Sequence, residues 1–367
     1  MTAAPPARKE RLPALTGLRT FAALNLVFFH FSNPQWFGWF APVVDHGYTS
    51  VSFFLLLSGF VLAYNYADKG ARGELKSISF WVARMSRLYP VYIFCLIVSL
   101  GMLAEEHRTQ TPLHFAMGTI LTPLLLQGWH PMLATFWNTP AWTMSTEVFF
   151  YLLFPFIVRW KGPSKLGWLL GLLAALWVAG LVCPTLYVWL HPDGDPHPDR
   201  YSSGLWIRAL KFTPLPHLPS FLFGVTLASL NQRIPYAARR RLLLGVLGVA
   251  GLYTVLYYGN HFPYVYLHDG LLMPLFGAAI LGLSGQNLMS KFFGFLPFVL
   301  VGEASYCLYL LHFNLWNLIH DSGILQRTGL IRLDPWFSYL LLILSAILTL
   351  RLIEKPGQRW IRNHVHL

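Results

Sequence analysis

The feature that most constrains this chain is a series of long apolar segments separated by short stretches rich in lysine and arginine. Of its 367 residues, 55% are hydrophobic and 11% are charged, whereas soluble domains average about 25% charged residues. Apolar segments of this length are typical of transmembrane helices. The sequence therefore predicts an all-α fold, a polytopic helical membrane bundle that forms one integral domain over residues 1–367.

The number of spans follows from the apolar segments and from the charge between them. Basic loops stay in the cytoplasm, and both termini are basic, so the number of spans should be even. We predict ten transmembrane helices, with one further segment, residues 113–128, re-entrant or interfacial at the outer face. The apolar segments cover residues 15–32, 47–67, 88–104, 113–128, 142–159, 166–190, 212–230, 242–259, 270–284, 294–320 and 336–353.

This topology explains the excess of basic over acidic residues. With ten spans, most of the 27 Lys and Arg residues lie on the cytoplasmic side, as do the tails 1–14 and 354–367. We therefore expect a multi-pass protein of the inner (cell) membrane whose partner is the lipid bilayer. The net charge of +12 reflects the basic loops that keep to the cytoplasmic side of the membrane. We therefore expect no nucleic-acid partner.

Two ionisable residues interrupt the first apolar segment, GLRTFAALNLVFFH. Arg19 and His30 are eleven residues apart, which is three helical turns plus about 20°, so they lie on one helix face about 16 Å apart. Charged groups within a bilayer normally face a bundle interior or a watery cavity, so both are candidate catalytic residues. The alternatives are snorkelling of Arg19 to the cytoplasmic surface and a purely structural role for His30.

Two arginines occupy the predicted cytoplasmic mouth of the third span, in FWVARMSRLYPVY. Arg84 and Arg87 stand at i and i+3, so they share a helix face. Forked guanidinium groups suit phosphate oxygens, and we regard both residues as candidates for binding a phosphorylated cofactor. The alternative is that they only anchor the helix on the positive side of the membrane.

An acidic residue, Glu147, lies about one turn into the predicted fourth span, near Thr143 and Ser145. A carboxylate in this environment must be neutral, paired with a cation or hydrogen-bonded. We expect it to pair with His30 from a neighbouring helix. The alternative is a helix N-terminus in which Thr143 or Ser145 caps the first turn that contains Glu147.

Other polar residues carry weaker signals. The segment GEASYCLYLLH places Glu303, Tyr306 and His312 along one predicted span as a polar stripe. The outer loop HPDGDPHPDR contains possible metal ligands, but its Pro and Gly favour a solvated loop. The three cysteines lie in apolar segments without metal-ligand spacing. We therefore expect packing roles for the cysteines and no bound metal.

Taken together, these segments resemble the acyltransferase-3 family of integral membrane acyltransferases along nearly the whole chain. The resemblance is carried, in order, by LTGLRTFAALNLVFFH, SVSFFLLLSGFVL, FWVARMSRLYPVY, AWTMSTEVFFYLLFP, SYCLYLLH and IEKP. It implies about ten helices and an acyl group, usually acetyl, taken from acyl-CoA on the cytoplasmic side. The implied acceptor is a hydroxyl, commonly of a cell-surface carbohydrate or glycolipid. We expect no appended extracellular hydrolase-like domain.

The same resemblance implies roles for individual residues. His30 would be the catalytic residue, with Arg19 in support and Glu147 in the essential polar cluster, while Arg84 and Arg87 would engage acyl-CoA. Where relatives often carry arginine, this chain has His217. Further candidates in the matching motifs are Ser58, Trp142, Ser145, Tyr306 and His312.

The chemistry of O-acyl transfer fits these residue types. The reaction needs a base for the hydroxyl proton and a group that stabilises the tetrahedral oxyanion. His30 suits the first task, and Glu147 could orient its tautomer. A competing hypothesis is a solute or proton-coupled transporter that uses buried Arg, His and Glu as a relay. A non-catalytic membrane scaffold is the third possibility.

Overall fold

The structure is a computed structural model that describes residues 10–160, 162–163, 165–234 and 237–365. These residues form helices and turns and no β-strand. In chain order, the α-helices are α1 (Pro13–Phe31), α2 (Ala41–Asp45), α3 (Thr49–Ala71), α4 (Ser77–Val98), α5 (Leu100–Thr109), α6 (Pro112–Leu121), α7 (Trp142–Ile157), α8 (Leu166–Leu190), α9 (Leu205–Phe212), α10 (Leu218–Asn231), α11 (Ala238–Tyr257), α12 (Tyr264–His268), α13 (Met273–Leu283), α14 (Leu288–Phe293), α15 (Leu296–Glu303), α16 (Ser305–Asp321), α17 (Ile324–Thr328), α18 (Trp336–Thr349) and α19 (Lys355–His364).

Several of these helices are long and apolar enough to cross a membrane. Within the described ranges there are seven such segments, or eight if α15 and α16, which meet at a 63° bend, form one span. The seven are α1, α3, α4, α8, α11, the segment Tyr264–Leu283 and the segment Trp336–His364. The predicted all-α, multi-pass membrane bundle is thus confirmed.

The remaining two of the ten predicted spans correspond to α7 and α10. These helices have 16 and 14 residues, which gives lengths of about 24 and 21 Å. The hydrocarbon core of a bilayer is about 30 Å thick. Both helices are therefore shorter than a full span, and the number ten stays a prediction.

The segment predicted not to span contains α6 and the turns that follow it. Ten residues make α6 about 15 Å long, half the thickness of the hydrocarbon core. After α6 the chain packs along α4, where the hydroxyl of Tyr92 donates to the carbonyl of Thr122 at 2.6 Å. The chain then turns back, and the indole of Trp137 donates to the carbonyl of Leu96 at 3.0 Å. This short, returning path agrees with a non-spanning segment.

Helices α3 and α10 cross with their backbones almost in contact. A Cβ at Gly59 would lie 2.1 Å from the carbonyl oxygen of Phe221, and a Cβ at Gly224 would lie 2.0 Å from that of Leu56. No side chain fits at either position, which is the usual reason for glycine where membrane helices approach closely. The crossing fixes the position of α3, which supplies Ser58 to the site described below.

Helix α1 is fixed at both ends by other parts of the bundle. Near its start, the hydroxyl of Thr20 donates to the carbonyl of Phe298 at 2.5 Å. At its other end, the ring of Phe31 stacks on Trp316 of α16, with centroids 4.2 Å apart. These contacts determine which neighbours Arg19 and His30 meet.

The α3–α10 crossing gives a prediction about stability. Gly224→Ala forces a methyl group against the backbone of α3, so we expect it to lower the free energy of unfolding by about 1–3 kcal/mol. Gly171→Ala in α8 is the matched control, because a Cβ there meets no atom within 4 Å and alanine favours a helix. Thermal unfolding of the detergent-solubilised variants measures both effects, and equal melting temperatures would contradict the close crossing.

Candidate active site

A cavity of about 120 Å³ lies within the bundle, between α1, α3, α4, α7 and α16. We call it the arginine cavity. Several of the residues predicted from the sequence line it together, although they are far apart along the chain. Its polar lining consists of Arg19, Ser58, Arg84, Arg87, Thr143, Glu147, Tyr151, Ser305, Tyr306 and Tyr309.

Arg87 is held in place by a carboxylate that belongs to the IEKP motif but was not among the predicted site residues. Its Nε lies 3.3 Å from Oε1 of Glu354, whose side chain is buried. The other carboxylate oxygen of Glu354 accepts from the thiol of Cys307 at 3.4 Å. Because a buried charge needs a partner, this pair fixes one side of the arginine cavity. In the sequence, Glu354 stands at the end of the last apolar segment beside Lys355, where it is typical of a solvated tail.

The inward direction of Glu354 comes from a local change of helix geometry. Residues Leu350–Glu354 form a π-helical segment between α18 and α19. A π-segment inserts an extra residue into a turn and is frequent at functional sites. The shift in register brings Glu354 into the bundle, whereas the α19 residues that follow are largely exposed.

Arg84 has a hydrogen-bonding group that remains free. Its Nη2 donates to the hydroxyl of Tyr66 at 3.0 Å, and its guanidinium lies 5.5 Å from the centroid of that ring and 5.7 Å from that of Phe80. Its Nε is buried and has no hydrogen-bond partner among the described residues. A buried donor normally has a partner, so this nitrogen is available to an acceptor in the arginine cavity.

The charges around the arginine cavity do not cancel. Arg19 is in the electrostatic field of Arg87 and of the carboxylates of Glu147 and Glu354. Together with Arg84, the group contains three guanidinium groups and two carboxylates, which leaves one positive charge. Since burying an uncompensated charge is costly, the cavity is suited to an anionic ligand.

The expected pairing of Glu147 with His30 is wrong. The carboxylate of Glu147 instead accepts a hydrogen bond from the hydroxyl of Tyr151, one turn further along α7, and it faces the arginine cavity. His30 is eleven residues beyond Arg19 on α1, about 16 Å further along the axis. The two residues are thus at different levels of the bundle, a displacement that the sequence alone does not reveal.

His30 has its own surroundings at the end of α1. Its ring centroid lies 5.3 Å from that of His312 and 4.6 Å from that of Phe313, both on α16. Its side chain is exposed, whereas His312 is buried, with 1% of its surface accessible. His312 also contacts the ring of Tyr309 at 5.8 Å. Helix α16 therefore connects the arginine cavity, through Tyr309, to the histidine pair.

Besides His30 and His312, two further predicted candidates, Trp142 and Ser145, do not line the arginine cavity. The ring of Trp142 lies 5.2 Å from that of His217 and 5.4 Å from that of Phe212. The hydroxyl of Ser145 accepts from the backbone N–H of Gly128 at 3.2 Å, which ties α7 to the chain that follows α6. Both side chains thus contact the walls of the site, whereas Ser58 and Tyr306 reach the cavity itself.

His217 belongs to a second buried polar group that no sequence motif indicated. Its Nδ1 lies 2.8 Å from Oδ1 of Asp269, and its Nε2 lies 3.0 Å from the carbonyl oxygen of Lys211. His268 lies 3.3 Å from the other oxygen of Asp269. Each of these side chains is almost completely buried. The adjacent His268 and Asp269, directly before the apolar segment 270–284, were the available signal.

A larger cavity, of about 490 Å³, lies beside the loops at the His30 end of α1. We call it the loop cavity. Its lining includes the aromatic residues Tyr48, Tyr201 and Tyr264 and the hydrogen-bonding residues Asp45, Asp199 and Asn260.

The loop cavity is connected to His30 through one arginine. The guanidinium of Arg200, which lines the loop cavity, lies 5.0 Å from the ring centroid of Phe29, the neighbour of His30. Nη1 of Arg200 also bonds Oδ1 of Asp45 at 3.2 Å. Arg200 therefore links the wall of this cavity to the end of α1.

The loop that carries Arg200 is held by a buried amine. Nζ of Lys211 donates to the backbone carbonyls of Asp199, Arg200 and Ser202 at 2.9–3.3 Å. Burial lowers the pKa of Lys211 to about 8, because a low-dielectric environment disfavours the charged amine. That value lies above 7, so at neutral pH most molecules have the protonated amine that makes these bonds.

The acidic side chains of the outer loop are used within the protein. Asp193 accepts from the backbone N–H groups of Trp206 and Ile207 at 3.0 and 2.8 Å, at the start of α9. Asp195 accepts from Ser202 at 2.7 Å. Over the described parts of the chain, no group of three or more His, Cys, Asp or Glu side chains is arranged to hold a metal ion.

The known proteins to which this chain is similar are acyltransferases. Residues 12–352 match the model of the acyltransferase domain of acyltransferase family 3. The chain is similar to acyltransferase MdmB of Streptomyces mycarofaciens, with 30% identity over 237 residues that cover 61% of this chain and 58% of that protein. It is also similar to O-acetyltransferase OatA of Staphylococcus aureus (strain NCTC 8325 / PS 47), with 23% identity over 94% of this chain and 57% of that protein.

A further relative is the peptidoglycan O-acetyltransferase OatA of Listeria monocytogenes, with 24% identity over 95% of this chain and 56% of that protein. The chain thus spans somewhat more than half the length of these curated relatives. No solved structure matches it. Since the family model covers almost the whole sequence, the chain belongs to the acyltransferase-3 family of integral membrane acyltransferases.

Proposed function

We propose that this protein is a membrane O-acyltransferase that moves an acetyl group from cytoplasmic acetyl-CoA to a hydroxyl of a cell-surface or exported saccharide. The observation that carries the proposal is the arginine cavity, with its excess positive charge and the unpartnered Nε of Arg84. Coenzyme A is an anion rich in phosphates, and guanidinium groups bind phosphate through charge-assisted hydrogen bonds. Two relatives are named O-acetyltransferases, one of them for peptidoglycan.

The orientation in the membrane follows from the charges of the chain. The positive-inside rule favours a cytoplasmic location for both basic termini in the inner membrane. Arg84 and Arg87 then lie on the cytoplasmic half of α4, on the side where coenzyme A is available. His30 lies about 16 Å further along α1, so the long arm of the donor extends along Tyr306 and Tyr309 of α16 toward it.

His30 acts as the base in this proposal. It takes the proton of the acceptor hydroxyl as the oxygen attacks the thioester carbonyl. When the tetrahedral intermediate collapses, the new C–O bond remains, the C–S bond breaks, and the proton passes from His30 to the departing thiolate. Arg19 and Glu147 both line the arginine cavity. The carboxylate of Glu147 compensates part of the positive charge around the donor, since a buried arginine needs a carboxylate nearby.

The loop cavity is the site that we assign to the acceptor. A sugar has apolar C–H faces and a rim of hydroxyl groups, and this cavity offers Tyr201 and Tyr264 beside Asp199 and Asn260. Its volume, about 490 Å³, lies in the range of ordinary ligand pockets. Arg200 and Phe29 connect it to His30.

The role of His30 is tested by His30→Ala. We expect transfer from acetyl-CoA to fall to background, while the melting temperature stays unchanged because the His30 side chain is exposed. His107→Ala, at an exposed histidine of α5, is the control and should keep full activity. Mass spectrometry of envelope saccharides from cells that express each variant measures the acetyl increment. Undiminished acetylation by His30→Ala would refute the assignment.

The role of Arg84 is tested by Arg84→Gln. Loss of a charge-assisted hydrogen bond costs about 1.5–3 kcal/mol, so the KM for acetyl-CoA should rise by about 10- to 100-fold with little change in the KM for the acceptor. Arg159→Gln removes the same charge from an exposed arginine that stacks on Phe156 and should leave both constants unchanged. Parallel loss for donor and acceptor would mean a structural role for Arg84.

The acceptor site is tested by Tyr201→Ala. Tyr201 is 75% exposed, so the change should preserve the fold and raise the KM for the saccharide by about fivefold to tenfold, the worth of one aromatic contact. The KM for acetyl-CoA should stay constant. Tyr257→Ala, at a 50% exposed tyrosine of α11, is the control. A change confined to the donor constant would exclude the loop cavity as the acceptor site.

A further inference from the structure

We propose that His312 is a positioning residue that holds His30 in one tautomer and shares its proton during transfer. This inference rests on the proposed function for its catalytic consequence, but the pairing of the two rings does not. It assigns to a neutral histidine the role that was expected of Glu147.

The tautomer of His312 follows from its hydrogen bond. Its Nδ1 lies 2.6 Å from the carbonyl oxygen of Tyr309, one turn earlier on α16. A carbonyl oxygen can only accept, so Nδ1 carries the hydrogen and Nε2 carries the lone pair. His312 therefore presents a hydrogen-bond acceptor on the side of the ring away from its own helix backbone.

The lone pair on Nε2 of His312 accepts no hydrogen bond from the described residues. This nitrogen is buried. A second histidine on the same helix makes the comparison. Nδ1 of His320 bonds the carbonyl of Trp316 at 2.9 Å, and its Nε2 bonds Oδ2 of Asp334 at 3.1 Å. Both residues bond a backbone carbonyl of the preceding turn through Nδ1, but only His320 has its second nitrogen occupied.

His30 is the group that is placed to fill the vacancy. Two imidazole rings joined by an N–H···N hydrogen bond of about 2.9 Å have centroids about 5.2 Å apart, and the observed separation is 5.3 Å. The other rings against His312 are Phe31, Phe313 and Tyr309. The phenylalanines have no donor, and Tyr309 lines the arginine cavity. A rotation of the His30 ring that turns an N–H toward Nε2 of His312 would complete the bond.

The electrostatic neighbours of the pair are few. His30 is influenced by His312 and by Arg200 of the outer loop, and Tyr309 is the titratable neighbour of His312 on its own helix. Arg200 is itself paired with Asp45. Glu147 is not among these groups, because it lies in the arginine cavity with Tyr151.

The pairing has a direct chemical consequence. When His30 donates one N–H to Nε2 of His312, its other nitrogen must carry the lone pair, which faces the accessible side where the acceptor hydroxyl arrives. After His30 takes that proton, its positive charge is shared through the N–H···N bond. The proton then passes to the thiolate of coenzyme A, and both histidines return to their starting states. This is the function that a carboxylate performs in other acyl-transfer sites.

The pairing itself is tested without any activity measurement. In protein labelled with ¹⁵N-histidine and held in detergent micelles, the Nε2 resonance of His312 should have the shift of an unprotonated acceptor and should move when His30 is replaced by Ala. The resonances of His320 are the internal control and should stay unchanged. If the His312 resonances are the same in the wild type and His30→Ala, the pairing is overturned, whatever the activity of the protein.

The catalytic consequence is tested with His312→Phe and the matched control His320→Phe. We expect His312→Phe to lower kcat at least about tenfold and to move the acidic limb of the pH–rate profile to lower pH, because the charged form of His30 loses its acceptor. His312→Gln, which offers an amide oxygen, should recover part of the rate. His320→Phe should have neither effect.

The remaining outcomes separate this inference from the proposed function. An unmoved acidic limb, or equal losses for His312→Phe and His320→Phe, would assign His312 a packing role and overturn the inference while acyl transfer stands. A clear His30–His312 pairing by NMR, in a protein that transfers no acyl group, would instead support the pairing and refute the proposed function.

Discussion

The burial of charge in a membrane is the constraint on which this structure depends. A cation at the centre of a bilayer costs several kcal/mol unless it meets a partner or water, and this chain carries Arg19, Arg84 and Arg87 on two helices of the bundle. The arrangement of α1, α4 and α7 brings these cations to Glu147, and the last span adds Glu354. The same arrangement of helices therefore packs the bundle and pairs its buried charges.

This constraint explains how much of the site was predictable. Charged residues within apolar segments need partners, so the sequence alone was enough to mark Arg19, Arg84, Arg87 and Glu147 as candidate site residues. It did not show that these four residues line one cavity, because that depends on the vertical offsets of the helices, and for the same reason the expected pairing of Glu147 with His30 was wrong. Glu354 was missed because a π-segment, which has no clear sequence signal, turns it inward.

The polar groups are divided between two levels of the bundle. The arginine cavity contains the guanidinium groups to which we assign the donor, and the histidine pair lies further along α1 and α16, beside the loop cavity. Tyr306, Tyr309 and His312 follow one another at intervals of three residues, so α16 contributes to both levels. A donor on one side and an acceptor on the other can thus meet at the histidines without either substrate crossing the membrane.

The π-segment Leu350–Glu354 has a mechanical consequence. It joins α18, inside the bundle, to α19, which carries Lys355, Arg359 and Arg362 and packs through Gly357 against Pro90 of α4. Glu354 therefore belongs to the same continuous helical segment as this basic terminal helix. A torque on α19, such as that from anionic lipid headgroups, would be transmitted over one turn to the carboxylate that balances Arg87. The contact of α19 with the membrane surface and the charge balance of the arginine cavity would in this way depend on each other.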